Sequence, residues 1–247
     1  MEKPIISLYS AAIRPQNWLQ IFESVCNSSI PFEMIFVGPT EPDYILPDNF
    51  KFIKTDVKPA QCYEIAARYS MGEYLLNTAD DCVFITQDAL GTLYREYKAY
   101  NDEKLMLSCR FKVNSIDQSP KCHSLDREDP NSFIMPIGGL LSKKLYMELG
   151  GIDKNFISVY WDLDIALRLY SSGGRVLLSE DVYNNETSAM HLSVATATAH
   201  YGGYDLVFVN ALWRRGGNIQ LNRTQPFEPF SDENILIESQ GPKGRWV

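Results

Sequence analysis

The first 80 residues alternate short apolar runs with segments of helical spacing, and this alternation constrains the fold more than any other feature. The apolar runs are typical of buried strands, and Gly or Pro residues follow several of them. Strands are predicted at residues 4–9, 32–37, 50–54 and 74–78, and helices at 16–27 and 59–70. This order predicts an α/β fold, a twisted and mostly parallel sheet with helices on both faces.

The pattern continues less regularly in the second half. It predicts a helix at 86–100, a strand at 105–108, a long polar loop at 110–130, helices at 142–149 and from 161, and a strand at 175–178. We expect residues 1–223 to form a single domain. The last segment, 224–247, contains three prolines, so we expect an irregular C-terminal tail.

Composition narrows the functional class. The formal net charge is −8 and the pI is about 5.0, which argues against broad non-specific binding to nucleic acid. The cysteines are odd in number and lack Cys-x-x-Cys spacing, which favours reduced thiols and no structural zinc. A disulfide between two of them stays an alternative. With no signal peptide and no apolar run of membrane-spanning length, we expect a cytoplasmic protein.

Two adjacent carboxylates, Asp80 and Asp81, follow the predicted strand 74–78. Ligands of open α/β sheets bind at the carboxyl ends of strands, and Mg²⁺ is usually held by one or two carboxylates together with substrate phosphates. The pair therefore predicts a Mg²⁺ or Mn²⁺ site facing a diphosphate. Asp81 is the expected metal ligand, with Asp80 on the metal or on a ribose. Alternatively, Asp80 caps the next helix and Asp81 is solvated.

The second half adds two glycine pairs and an acidic helix start. Gly138-Gly139 precedes a predicted helix, and Gly150-Gly151-Ile152-Asp153 follows it. The next block, Trp161-Asp162-Leu163-Asp164-Ile165-Ala166-Leu167-Arg168, begins a further helix with two carboxylates in its first turn. An aspartate at such a position is stabilised as an anion by the helix dipole, and it is also a common N-cap.

Together with Arg14-Pro15 and Gly72-Glu73-Tyr74, these blocks resemble the family 2 glycosyltransferases, which have the GT-A fold. The resemblance extends over about residues 4–180. It implies a mixed, mainly parallel sheet and an inverting transfer of a sugar from a nucleotide-diphosphate donor to a hydroxyl group, on a carbohydrate or other acceptor. It also implies Mn²⁺ or Mg²⁺ as cofactor.

The resemblance assigns roles to particular residues. Asp162 aligns with the general base. Asp81, Asp80 and His191 are the expected metal ligands. The residues expected to bind the donor are Ser10, Arg14, Gln61, Asp80, Gly139 and Trp161.

Each role has a structural alternative. Asp162 can be a plain N-cap, Trp161 a core tryptophan and His191 a structural histidine, and exposed arginines are usually solvated. We expect Asp164 to be structural and to pair with Arg168, four residues further along the helix.

The sequence departs from the family pattern at four places. Gly38-Pro39 replaces the aspartate pair that contacts the nucleotide base, and Tyr63-Glu64 replaces an Arg-Asn pair. Ala79 stands for the first aspartate of the metal motif, and Trp161 stands for the glutamate before the base. Two further functions therefore stay open. One is a glycosyltransferase acting on a modified nucleic-acid base, as in some viruses, and the other is a non-catalytic scaffold with the same fold.

Overall fold

A single mixed sheet forms the centre of the molecule. The structure, a computed structural model, describes residues 2–119, 123–125, 133–187, 190, 197–213 and 222–246. Within these ranges the strands are β1 (Ile6–Ala11), β2 (Phe32–Gly38), β3 (Phe50–Lys54), β4 (Tyr74–Asn77), β5 (Cys82–Phe84), β6 (Leu105–Val113), β7 (Ile116–Asp117), β8 (Gly139–Ser142) and β9 (Arg175–Glu186). The helices are α1 (Trp18–Val25), α2 (Pro59–Tyr69), α3 (Ala89–Ala99), α4 (Lys143–Glu148), α5 (Trp161–Ser171) and α6 (Ala197–Trp213).

The strand order is β3-β2-β1-β4-β8-β6-β9-β5, and β7 pairs with β6. Strands β3, β2, β1 and β4 are parallel neighbours, and β6 and β9 run in the same direction. Strand β8 runs against both of its neighbours, so it reverses the sheet in the middle. The sheet is therefore mixed and mainly parallel, as predicted, and the carboxyl ends of β1 and β4 lie at one edge.

The sheet separates two apolar cores. All six residues of β1 are buried, as expected for a strand that is covered on both faces. Its side chains alternate, so Leu8 packs with helices α1 and α3 on one face, and Tyr9 packs with α2, α5 and α6 on the other. This double burial explains why the first strands are continuous apolar runs in the sequence.

The second half departs from the expected elements. Strand β6 continues to Val113, so the polar segment predicted from residue 110 begins as a strand. Strand β9 runs for 12 residues, well beyond the predicted 175–178. Helix α6, which the sequence did not reveal, is nearly uniformly apolar and contains Gly202 and Gly203, and glycine costs about 1 kcal/mol within a helix.

The described ranges show the state of four cysteines and the character of the helices. Cys26, Cys62, Cys82 and Cys109 are free thiols, as expected, and Cys122 lies outside the described residues. Within those ranges, no helix combines the length and apolar character needed to cross a membrane.

The end of β2 packs directly against the loop after β1. A Cβ atom at Gly38 would lie 1.8 Å from the carbonyl oxygen of Ala12, which is closer than any contact allows. The backbone N–H of Ala12 donates to Val37, and Thr55 donates to the carbonyl of Gly38 at 2.9 Å, so the backbone is held on both sides. A side chain is therefore excluded where the resembled family carries a carboxylate.

We expect Gly38→Ala to lower the free energy of unfolding by about 3 kcal/mol, because inserting a methyl group into closely packed structure forces the backbone apart. Gly203→Ala is the matched control, since nothing lies within 4 Å of its added Cβ and alanine favours a helix. Urea denaturation of both variants measures the difference. Equal free energies of unfolding for the two variants would show that the loop after β1 can move to accept the methyl group without loss of stability.

Candidate functional site

A buried carboxylate, Asp80, joins the loops that follow β1 and β4. Its Oδ2 accepts the backbone N–H of Ile13 at 2.6 Å and that of Arg14 at 2.7 Å, and its Oδ1 receives the guanidinium of Arg14. The Asp80 carbonyl accepts a hydrogen bond of 3.0 Å from the side chain of Asn17. Both carboxylate oxygens are thus used inside the protein, so Asp80 fixes the shape of the site.

The neighbouring carboxylate, Asp81, faces a cavity. Its Oδ2 lies 3.0 Å from Nη1 of Arg14, which therefore bridges the two aspartates. Arg14 is only 6% exposed, and its Nε atom is buried without a hydrogen-bond partner. Burial raises the pKa of Asp80, as does the adjacent Asp81, and the guanidinium of Arg14 opposes this.

The cavity that Asp81 faces has a volume of about 430 Å³. Its described lining includes three carboxylates, from Asp80, Asp81 and Glu186, against one guanidinium, from Arg14. Glu186 ends β9 and is in register with Cys82, which places it next to Asp81. Acidic groups therefore outnumber basic groups in the described lining of this cavity.

A second cavity, of about 160 Å³, adjoins the first. The two share four lining residues, and Tyr63 and Ser158 are among them. The smaller cavity is lined by Asp162 and Trp161, and the ring of Trp161 lies 4.7 Å from that of Tyr63. Asp162 and Asp81 therefore open into neighbouring parts of one cleft.

Asp162 stands at the start of α5. Its Oδ1 accepts the N–H of Leu163 at 2.9 Å. Burial raises the pKa of Asp162 from 3.8 to about 6, against the opposing effect of the hydrogen bonds from the helix N-terminus. The residue before the helix, Tyr160, has φ of 62°, a left-handed conformation that is uncommon for tyrosine. A carboxyl group with this pKa exchanges its proton near pH 6.

The segment before α5 is held by Asp205, a residue that sequence reasoning missed. Its carboxylate accepts backbone N–H groups from Ile157 at 2.9 Å, Ser158 at 2.7 Å and Val159 at 2.9 Å. Asp205 is fully buried. A lone acid inside the apolar run Tyr204–Asn210 was the available signal, because a buried carboxylate must be hydrogen-bonded.

Asp164 is structural, as predicted. Its carboxylate receives Nε of Arg168 at 2.9 Å, which confirms the expected pair, together with Nε1 of Trp213 at 2.9 Å and Nε of Arg223 at 3.1 Å. Asp164 is fully buried, so it does not reach the cleft.

Three residues expected to bind the donor, Ser10, Gly139 and Gln61, do not line either cavity. Ser10 is buried, and its hydroxyl donates to the carbonyl of Ala11 at 2.8 Å. Gly139 is also buried and donates to Asn77 at 2.8 Å, so Gly138 lines the small cavity instead. Gln61 is buried too, and its amide is used by the C-terminal segment, so the structure does not bring it to the cleft.

The remaining expected residues divide in two groups. Arg14, Asp80 and Trp161 do line the cleft. His191 lies outside the described residues.

The fit of a metal to this site rests on Asp81. Within the described ranges, no group of three or more His, Cys, Asp or Glu side chains is arranged to hold a metal ion. Asp80 and Asp81 both line the cavity. Both oxygens of Asp80 bind the loop after β1, and Asp81 forms an ion pair with Arg14. One carboxylate with phosphate oxygens is a usual arrangement for Mg²⁺, so Asp81 fits the expected cofactor, and Asp80 would have to give up its hydrogen bonds to serve as a second ligand.

Volume alone does not locate this site. A larger cavity, of about 600 Å³, includes Tyr74 at the beginning of β4 and Ser142 at the end of the reversed strand β8. Both positions belong to the opposite edge of the sheet, away from Asp81 and Asp162. The carboxyl ends of the parallel strands are the expected ligand edge of such a sheet.

We expect Asp80→Asn to lower the free energy of unfolding by about 3 kcal/mol, because it disrupts a buried ion pair and two backbone hydrogen bonds. Asp81→Asn, the matched variant next to it, leaves Arg14 paired with Asp80 and should cost about 1 kcal/mol or less, because no buried charge loses its last partner. Thermal and urea unfolding of both variants checks this order. A greater loss from Asp81→Asn would assign the structural role to that residue.

Asp162 also predicts a pH dependence of stability. Its pKa is raised in the folded protein, so the folded state retains the proton longer and stability falls as the pH rises from about 4 to 7. Asp162→Asn removes this penalty and should be more stable than the wild type by about 3 kcal/mol at pH 8. The gain should disappear near pH 4.

Asp88 is the control of opposite sign. Although burial opposes it, hydrogen bonds from Ser29 and Arg95 lower the pKa of Asp88. Asp88→Asn should therefore lose stability at pH 8 and regain it below pH 4. Urea unfolding from pH 3 to 8 measures both variants, and a constant Asp162→Asn effect across this range would contradict the raised pKa.

The fold has solved relatives, although no protein-family model and no curated protein matches the sequence. TarS from S. aureus, in complex with UDP-GlcNAc, superposes with a TM-score of 0.56 at 14% identity, over 84% of this chain and 66% of that one. GalNAc-T7 with UDP, GalNAc and Mn²⁺ gives 0.54 at 11% identity, over 76% of this chain and 44% of that one.

A mannosyltransferase from Pyrobaculum calidifontis, PcManGT, was solved with GDP-Man and Mn²⁺. It gives a TM-score of 0.60 at 16% identity, over 89% of this chain and 67% of that one. The chain thus spans about two thirds or less of these three relatives. The architecture predicted from the sequence is confirmed: the chain has the GT-A fold of glycosyltransferases.

Proposed function

We propose that this protein is an inverting, metal-dependent glycosyltransferase that transfers a sugar from a nucleotide-diphosphate donor to an acceptor hydroxyl. The observation that supports this most is the pairing of two adjoining cavities, one acidic and one containing Asp162 with its raised pKa. Three similar structures contain a nucleotide or nucleotide sugar, and two of them also contain Mn²⁺.

The base is the first requirement of such a transfer. Asp162 takes the proton of the acceptor hydroxyl as the oxygen forms its bond to the anomeric carbon, and a pKa of about 6 leaves it ionised at neutral pH. The hydroxyl oxygen attacks the face of the anomeric carbon opposite its bond to the diphosphate. That bond breaks, and the diphosphate leaves with the bonding electron pair. The two cavities separate the base from the acidic end, as this geometry requires.

The leaving diphosphate is the second requirement. A divalent cation supplies Lewis-acid stabilisation of the leaving group when bound, and Asp81 is the residue that would hold it. Arg14 adds a fixed positive charge between the aspartates, and Asp80 holds this arginine in place. The tight hydrogen bonds around Asp80 mean that the site needs little rearrangement before it binds a donor.

The two other functions make different predictions. A non-catalytic scaffold would bind no nucleotide sugar, and a base-modifying enzyme would bind a donor and also require a nucleic-acid acceptor. Isothermal titration with UDP-glucose, UDP-GlcNAc and GDP-mannose in the presence of Mn²⁺ separates the scaffold from both enzymes. Absence of heat for every donor would overturn the proposed function.

We expect Asp162→Asn to reduce turnover by on the order of 10²-fold or more with little change in donor affinity, because asparagine keeps the shape but takes no proton. The matched control is Asp164→Asn on the same helix, which should lower stability more than turnover. Donor turnover at pH 5 to 8 measures both variants. Turnover of the wild type should rise through pH 6, and an active Asp162→Asn enzyme with a dead Asp164→Asn enzyme would refute the assignment.

We expect Asp81→Asn to abolish the stimulation of donor binding by Mn²⁺, because it removes a charged oxygen ligand while keeping the side-chain shape. Its melting temperature without metal should change little. Titration of a nucleoside diphosphate with and without Mn²⁺ gives the measurement. Unchanged stimulation in the variant would exclude Asp81 as the ligand.

A further inference from the structure

The cavity of about 430 Å³ that Asp81 faces has a wall formed by residues near the end of the sequence. Trp246 is half-buried and lines this cavity together with Pro59 at the start of α2, Ala11 at the end of β1 and Ile13 in the loop that follows. These four neighbours are apolar. They lie on the side of the cavity formed by β1 and α2, whereas Asp81 comes from the end of β4.

The C-terminal segment, residues 222–246, is held in place by buried polar groups. The amide nitrogen of Gln61 donates to the carbonyls of Ile235 at 2.7 Å and Glu238 at 2.9 Å. Its oxygen accepts the N–H of Gln240 at 2.9 Å. Gln61 is fully buried, so all three bonds are shielded from water and fix the segment on α2.

The last residues of the segment fit closely against the domain. The ammonium group of Lys58, which is fully buried, donates to the carbonyl of Pro242 at 3.3 Å. A Cβ atom at Gly244 would lie 2.1 Å from the side chain of Ile157, and one at Gly241 would lie 2.4 Å from the carbonyl of Lys154. Side chains are thus excluded at both glycines, and the chain is directed to the cavity.

The indole of Trp246 has a fixed attachment. Its N–H donates to the carbonyl of Val57 at 3.0 Å, two residues before α2 begins. With its polar atom satisfied by the backbone, the indole presents apolar ring surface to the cavity. An aromatic ring held in this way binds a flat ligand by stacking, because little conformational freedom is lost.

No carboxylate can assist recognition at the end of β2, since Gly38 excludes a side chain there. A nucleoside diphosphate with its phosphates near Arg14 and Asp81 would place its base towards Pro59 and Trp246. We propose that Trp246 stacks on the nucleobase of the donor and is a specificity-determining residue of this site. The inference rests on the proposed function and names the part of the chain that holds the base.

Isothermal titration of UDP, GDP and inorganic pyrophosphate, with Mn²⁺ present, tests this on the full chain. Trp246→Ala should weaken UDP and GDP by about 10- to 100-fold, the usual scale for loss of one stacking ring, and leave pyrophosphate within about 2-fold. Trp246→Phe keeps a ring and should retain most of the nucleotide affinity. Ile237→Ala is the matched control, since this side chain is on the same segment but 82% exposed and outside the cavity.

The outcomes are distinct. Unchanged nucleotide affinity in Trp246→Ala overturns the inference and leaves the proposed function standing. Equal weakening of nucleotides and pyrophosphate also overturns it, because the segment would then shape the whole cavity. Loss of nucleotide affinity in Ile237→Ala would also overturn the inference, because the effect would then come from the segment as a whole and not from the ring of Trp246. If the wild type binds neither UDP nor GDP, the proposed function fails, and the inference fails with it. Melting temperatures confirm that each variant is folded.

Discussion

The hydrogen bonds of Asp80 are the interaction on which the rest of the site depends. One carboxylate receives two backbone N–H groups and a guanidinium, and so ties the loop after β1 to the loop after β4. A buried acid in a low-dielectric interior is stable only when its charge is paired and its oxygens are satisfied. Because Arg14 meets that need, it is fixed beside Asp81 by the protein alone, and the charged end of the cleft is already formed.

Two carboxylates of the cleft have different environments, and this difference allows different chemistry. Asp81 lies 3.0 Å from a guanidinium and lines the acidic cavity. Asp162 lies beside Trp161 with no ion pair among the described residues, and burial raises its pKa to about 6. Two acids in such different surroundings can take different parts in one reaction. Asp205, by fixing the backbone from Ile157 to Val159, maintains the boundary between them.

Local patterns in the sequence predicted what short-range physics determines. The buried strands, the acidic pair at the end of β4 and the structural pair of Asp164 and Arg168 are all visible within a few residues. Strand β8 and its reversed direction were not, because its apolar core of Leu140 and Leu141 is too short to identify a strand and is apolar in either orientation. The placement of Asp80 and Asp81 at one edge followed from strand order, yet which oxygens were already occupied depended on a backbone 66 residues away.

The position of Gln61 depends on contacts with residues that are distant in the sequence. The family resemblance placed it on the donor, and its side chain instead binds the C-terminal segment through partners 174 to 179 residues away. A buried amide needs several partners, but sequence alone does not say which backbone supplies them. That same contact gives the tail, predicted to be irregular, a fixed position without helix or strand. Gln61 thus does not line the cavity itself, but it holds the segment that brings Trp246 there.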